Sequence, residues 1–275
     1  MPPLMIMKKY ALLYSILAAA GGIGMLSAEG GGKVIDLNKP VGDSLVPDGF
    51  YWTFDDGIAG ESEPLIVQDH SGNSFDGHIS SAGGSPTPTY ADGVFGTAIY
   101  VQGNPQVTWR KGHKLDAAPD PSKLTMKGQA FTGGVWFKMD DRKPAAHVLI
   151  RRDDNTIGWR LMVLKDQEAD KESDGASWYL NLEYGDSRIR GTSLASTPVF
   201  ADGKWHHVGF SVSPGPDEGQ FTTVFWIDGE IFDTVAFKAT VPDPKPEYRF
   251  LSVGNGVWGL LDDAFVTTGV HSFKK

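Results

Sequence analysis

The sequence predicts an all-β chain folded as an antiparallel sandwich of two sheets, and three observations carry that reading. Apolar and polar residues alternate over runs of strand length, turn residues punctuate those runs at short intervals, and no stretch keeps helical periodicity between caps. Composition agrees, with 34 Gly and 17 Pro beside 15 Phe, 8 Tyr and 8 Trp: short aromatic-rich strands joined by tight turns.

Residues 1–28 have the pattern of an export signal. Lys8 and Lys9 supply the charge, Ala11 to Ala20 the apolar run, and Leu26-Ser27-Ala28 a small-residue end before Glu29. Met7 is an alternative initiator. Gly21, Gly22 and Gly24 interrupt the run and leave it short for a bilayer span, so cleavage is favoured over an uncleaved anchor. Residues 29–47, with Gly30-Gly31-Gly32 and few large apolar side chains, have the composition of a flexible linker, and one domain is expected over 48–275.

Within that domain the strand-like runs are Gly49 to Phe54, Thr97 to Val101, Gly134 to Met139, Ala146 to Arg151, Gly158 to Val163, Trp178 to Tyr184, Trp205 to Val212, Phe221 to Ile227, Glu230 to Phe237, Phe250 to Val253 and Leu260 to Thr267. Asp228-Gly229 between two apolar arms predicts a hairpin with a type I′ turn. In Val135-Trp136-Phe137-Lys138-Met139 the alternation turns Val135, Phe137 and Met139 inward and Trp136 with Lys138 the other way. Pro242, Pro244 and Pro246 forbid a central strand and predict a stiff crossing. Lys165 to Asp174 is charged all round and has the character of a solvated hairpin tip, with a cation-collecting loop as the alternative.

Charge and cysteine content narrow the partners. Lys and Arg total 25 against 34 acidic residues, net −9; without the leader the balance is 23 against 34, net −11, which disfavours nucleic acid. With no Cys there is no disulfide, thiolate metal site, cysteine nucleophile or lipoprotein anchor.

A series of motifs then fixes a resemblance. Tyr51-Trp52-Thr53-Phe54-Asp55-Asp56 is followed by Asp69-His70-Ser71-Gly72-Asn73 with Asp76-Gly77, by Phe95-Gly96-Thr97-Ala98-Ile99, by Gly134-Val135-Trp136-Phe137-Lys138 and by Gly158-Trp159-Arg160-Leu161. Asp202-Gly203-Lys204-Trp205-His206-His207-Val208, Trp226-Ile227-Asp228-Gly229-Glu230 and Leu261-Asp262-Asp263-Ala264-Phe265-Val266 complete it. In this order, over nearly the whole chain after the leader, they resemble the bacterial laminin-G-like domains of the concanavalin A-like lectin/glucanase family. That resemblance implies a two-sheet antiparallel jelly roll with its first and last strands adjacent, and no single function.

Relatives of this kind include polysaccharide-cleaving enzymes, which need two carboxyl groups about 5–5.5 Å apart, or about 6.5–9.5 Å for inversion. No E-x-D-x-x-E type signature occurs, and Glu183 is a lone strand acid; no catalytic residue is assigned. Gly254-Asn255-Gly256-Val257-Trp258-Gly259 has the letters of a dinucleotide fingerprint, but strand residues follow where a helix is required, so it is a glycine-rich turn. His206 and His207 point to opposite faces and cannot share a metal. Asp69 to Ser74 is not an EF-hand, since Ser80 stands where the bidentate Glu belongs.

Because jelly-roll relatives often hold a structural calcium, Asp55, Asp56, Asp69, Asn73, Asp262 and Asp263 are candidate ligands; the alternative is that these side chains cap turns. Glycan stacking would use exposed aromatic faces, with Trp109, Trp136, Trp178 and Trp258 as candidates and core packing as the alternative. Trp109 lies beside Arg110, Lys111 and His113 in what reads as a loop. The expectation is a secreted or periplasmic module that binds a glycan without catalysis. The alternatives are a domain binding an extracellular or envelope protein, and a diverged glycoside hydrolase or lyase. Neither nucleic acid nor a membrane span after the leader is expected.

Overall fold

Alternation along each strand sorts its side chains to two faces, and the strands pair antiparallel into two sheets whose apolar faces meet. The computed structural model describes residues 32–63, 65–80, 86–103, 106–110, 124, 126–139, 146–153, 158–165, 178–190, 200, 202–241 and 250–275. The expected leader, Lys111, His113, residues 166–174 and the proline crossing at 242–246 lie outside the described residues. No helix among the described residues is long and apolar enough to cross a membrane.

The first sheet runs, from edge to edge, β12 (Ser187–Arg190), β11 (Trp178–Tyr184), β10 (Trp159–Lys165), β9 (Ala146–Asp153), β16 (Phe250–Asn255), β7 (Gln106–Arg110), β4 (Gly77–Ser80) and β3 (Ile66–Val67). The second runs β15 (Glu230–Lys238), β14 (Gln220–Ile227), β13 (His206–Pro214), β8 (Phe131–Met139), β17 (Trp258–Thr268), β6 (Thr97–Gln102) and β5 (Thr89–Asp92), with β2 (Phe50–Trp52) also on β17. Tyr51 lies opposite Phe265, so the first and last long strands are neighbours, as the resemblance implies. All eleven strand-like runs are strands here. The Asp228-Gly229 hairpin has the two positive φ angles of its turn, 52° and 89°.

One apolar cluster fills the space between the sheets, and Trp52, Phe54, Phe75, Trp159, Phe210 and Phe225 are fully buried in it. Polar tips of buried aromatics find backbone acceptors: Trp52 Nε1 donates to the Phe75 carbonyl at 2.9 Å and the Tyr184 hydroxyl to that of Met126 at 2.6 Å. Trp109 belongs here, which corrects the expectation of a loop. Its indole packs edge-on against Phe75 from within β7, and the polar neighbours that gave the segment a loop-like look start at the strand's end.

The expected flexible linker is also corrected. Residues 33–45 form a packed strap, with β1 (Val34–Asp36) parallel to β18 (Ser272–Lys274) and one helical turn, α1 (Val41–Ser44). Ile35, Leu37, Val41 and Leu45 are buried against Tyr51, Trp136, Val224, Trp226, Phe265 and Phe273 on the outer face of the second sheet. Four apolar residues spaced among polar ones suffice to make a second, smaller core, although their number is too low to stand out in the sequence.

Candidate functional site

The outer face of the first sheet carries the most ordered set of polar side chains. Leu182, Leu161, Ile150, Leu251, Val107, Ile79 and Val67 point inward, so in each strand the adjacent residue points out. The strand registers bring these outward residues opposite one another in a single transverse row: Arg188, Glu183, Arg160, Arg151, Ser252, Thr108, His78 and Ile66, one from each of the eight strands. At a spacing of about 4.8 Å per strand the row spans roughly 34 Å.

Hydrogen bonds and ion pairs orient the row. Glu183 accepts from Arg160 at 3.3 Å and from Arg188 at 3.1 Å, and Arg151 Nε donates to Ser252 Oγ at 2.9 Å. Arg188 is 83% exposed and Arg160 35%, whereas Ser252 and Thr108 are buried. Short side chains therefore floor the middle of the row between longer ones. A second row lies beside it, with Asn181, Met162, Val148, Asn255, Gln106 and Ser80, and Asn255 Nδ2 donates to Gln106 Oε1 at 3.2 Å. The strap's apolar cluster covers the other sheet and contains no residue of this one.

The calcium candidates separate into turn caps. Asp69 accepts from the amides of Tyr51, Ser71 and Phe75 at 2.9–3.0 Å and from the Ser71 hydroxyl at 2.7 Å, and Asn73 Nδ2 donates to the carbonyls of Asp48 and Gly49. Asp56 accepts from the Gln68 amide and Asp55 from the Thr97 amide. Asp262 Oδ2 accepts from the amides of Val94 and Phe95 at 2.8 and 3.1 Å. Asp263, in a β-bulge with φ 51°, accepts from the Val41 amide at 2.9 Å and the Tyr51 hydroxyl at 2.5 Å.

Asp55 and Asp262 thus clasp one turn, while Asp56, Asp69 and Asn73 hold others. Among the described residues no group of three or more His, Cys, Asp or Glu is placed to hold a metal ion. Burial pushes the Asp262 carboxyl up to about 8, with the charges of Asp263 and Asp55 adding to it, and pushes Asp263 up to about 6.

The tryptophans also divide. Trp109 and Trp136 are buried, at 6% and 3% exposure, so neither offers the bare face that stacking requires; Trp136 lies under the strap against His207 and Phe95. Trp258 is half-buried on the outer face of the second sheet, opposite Gln102. The side chain of Trp178 lies outside what is described. His206 and His207 do point to opposite faces. His206 is held between Asp228 at 2.8 Å and Asp202 at 3.2 Å, and its pKa is raised chiefly by the Asp228 hydrogen bond, whereas burial depresses His207 to about 3.

The chain is similar to several solved structures at low identity. Domain 4 of an extracellular family-43 arabinanase from Geobacillus stearothermophilus, in complex with arabinotriose, is 16% identical, with a TM-score of 0.49 over 80% of this chain and 92% of that one. The binding domain of botulinum neurotoxin serotype D is 10% identical (TM-score 0.47; 81% and 48%), and a sialidase of Trypanosoma rangeli 15% (0.45; 82% and 31%). The chain spans under half of the length of these last two. No curated protein matches the sequence. The model of the concanavalin A-like lectin/glucanases superfamily matches residues 110–268, more than half of the chain and most of both sheets, and the chain belongs to that superfamily.

Proposed function

We propose that this is an exported, non-catalytic binding module whose ligand is a linear polysaccharide laid across the strands of the first sheet. The observation that supports it is the transverse row from Arg188 to Ile66: one outward side chain per strand, at a step close to the length of one sugar ring. The exposed guanidinium groups of Arg188 and Arg160 supply donors that sugar hydroxyls and acidic groups can accept. The row holds three Arg against one carboxylate, Glu183, so a chain bearing uronate or sulfate groups is favoured despite the net charge of −9. At physiological salt, screening over about 8 Å makes the local balance matter more than the total.

The same row argues against cleavage. Its single carboxylate is bracketed by two guanidinium groups, and a hydrolase needs a second acid within reach. Calcium enters no step of this reading; a structural ion would show itself as a fall in Tm in excess chelator.

The test is retention of the chain from Glu29 on polygalacturonate, alginate and chondroitin sulfate, with cellulose and laminarin as neutral controls. Retention on an acidic polymer, falling at least about tenfold in Arg160→Ala and Arg188→Ala at unchanged Tm, is expected, since each substitution removes charge-assisted bonds. Retention indifferent to both substitutions, or no retention alongside capture of an envelope protein, overturns it. Release of reducing ends overturns the non-catalytic reading.

A further inference from the structure

The outer face of the second sheet carries polar groups beneath an apolar cluster to which the strap contributes together with Phe273 and Phe95. Trp136 and Trp226 pack in one cluster with Ile35, Leu37, Val41 and Leu45; His207 touches Trp136 and Phe273, and Asp262 lies opposite Trp136 in the sheet. Five buried polar atoms of these four face residues have no hydrogen-bond partner: Nε1 of both tryptophans, both ring nitrogens of His207 and Oδ1 of Asp262. Such atoms are almost always paired in native folds, and five on one face call for a physical reason.

The strap's own polar groups bond elsewhere: Asp36 Oδ1 accepts from Asn38, Asp36 Oδ2 pairs with Lys274, and Ser44 Oγ accepts from the Asp36 amide. The strap is fastened at its margins, by the three-residue pairing with β18, by Lys33 N to His271 Nδ1 at 3.0 Å and by Val41 N to Asp263.

We propose that residues 33–45 are a displaceable cover, and that the face beneath is a second ligand site, for a neutral sugar. The indoles of Trp136 and Trp226 and the ring of Tyr51 offer apolar faces to the C–H side of a pyranose. The indole N–H groups, the His207 imidazole and Asp262 Oδ1 offer the donors and acceptors that hydroxyls need and aliphatic side chains lack. The face carries no cationic side chain among these residues, and the Asp263 carboxylate beside it disfavours an acidic sugar. The site lies on the opposite sheet from the transverse row and shares no residue with it.

The test holds the strap shut in one variant and loosens it in another. The chain has no Cys, so Val34→Cys with Ser272→Cys, Cα partners in the β1–β18 ladder, gives one disulfide that fastens the strap when oxidised and frees it when reduced. Val41→Asp places a carboxylate beside Asp263 and loosens it. Cellohexaose, laminarihexaose, xylohexaose and maltohexaose are titrated by calorimetry, with acrylamide quenching of tryptophan fluorescence as the readout of opening. At least one sugar is expected to bind Val41→Asp at least tenfold more tightly than the oxidised double-cysteine chain. Reduction should restore wild-type affinity, and adding Trp136→Phe to Val41→Asp should weaken binding.

Equal affinity in the oxidised and reduced forms, or no binding by any form, overturns the proposal; that comparison decides even if Val41→Asp fails to fold. Binding abolished by Arg160→Ala also overturns it, by placing the sugar on the other sheet.

Discussion

Asp262 carries its electrostatic cost in one oxygen. Oδ2 is shared by two amides, Oδ1 has no partner, and burial lifts the carboxyl from 3.8 to about 8. Between those values the folded chain keeps a proton that the unfolded chain has lost, so this contribution to stability is whole below pH 3.8 and declines as pH rises to about 8. Asp262→Asn retains an oxygen for the Val94 and Phe95 amides and removes the titration. Its Tm is expected to match the wild type near about pH 4 and exceed it by several degrees near about pH 9, since 1 kcal/mol is worth roughly 2–4 °C in a domain of this size. Scanning calorimetry at the two pH values checks this. His207 works in the opposite direction, because burial lowers its pKa from 6.5 to about 3 and its contribution is lost as pH falls through that interval.

At the scale of the element, the Asp228-Gly229 hairpin was fully legible, because two positive φ angles are a local demand that Asp-Gly meets. Its tertiary role was not: a Cβ on Gly229 would come within 2.7 Å of Lys275 N and 2.9 Å of Lys274 C. Gly229→Ala is therefore expected to cost about 2 kcal/mol from strained backbone, more than a turn alone would explain, and to speed amide exchange in β18. Denaturant melts with exchange mass spectrometry read both. The long strands were legible for the same local reason, alternation, whereas β3, with two residues, and β1, with three, are too short to alternate. The transverse row was legible strand by strand but not as a row. Arg151 meets Ser252 because β16 inserts between β9 and β7, a long-range choice that no local pattern records. Trp109 misled because its sequence neighbours are polar while Phe75, its real neighbour, lies elsewhere in the chain.

For the whole molecule, two cores of unequal rank divide the work of folding. The inter-sheet cluster begins at Phe50 and holds no strap residue, whereas the smaller one is built from the strap and the face beneath it. A chain starting at Asp48 is accordingly expected to unfold cooperatively, with Tm lower by about 10 °C: four buried aliphatic side chains contribute about 1.5–3 kcal/mol each, and the unpaired polar atoms they cover offset part of that. Circular dichroism melts against the chain from Glu29 measure the difference; loss of any cooperative transition would mean that the strap is integral to folding. The boundary expected at 48 thus marks where the larger core starts, and the elements before it were missed because a small core needs few apolar residues.

Among the described residues, the pairing of β1 with β18 is the one place where two strands run the same way. A pull applied at Lys33 and Lys275 in opposite directions loads that ladder along its length, together with the bonds from Leu37 N to the Lys274 carbonyl and Ser272 N to the Lys33 carbonyl. These bonds must yield together, as in a lap joint, instead of peeling one by one. This ladder of only three residue pairs is therefore also a tension-bearing catch, and traction on the chain ends would unfasten the strap before it disturbed either large sheet.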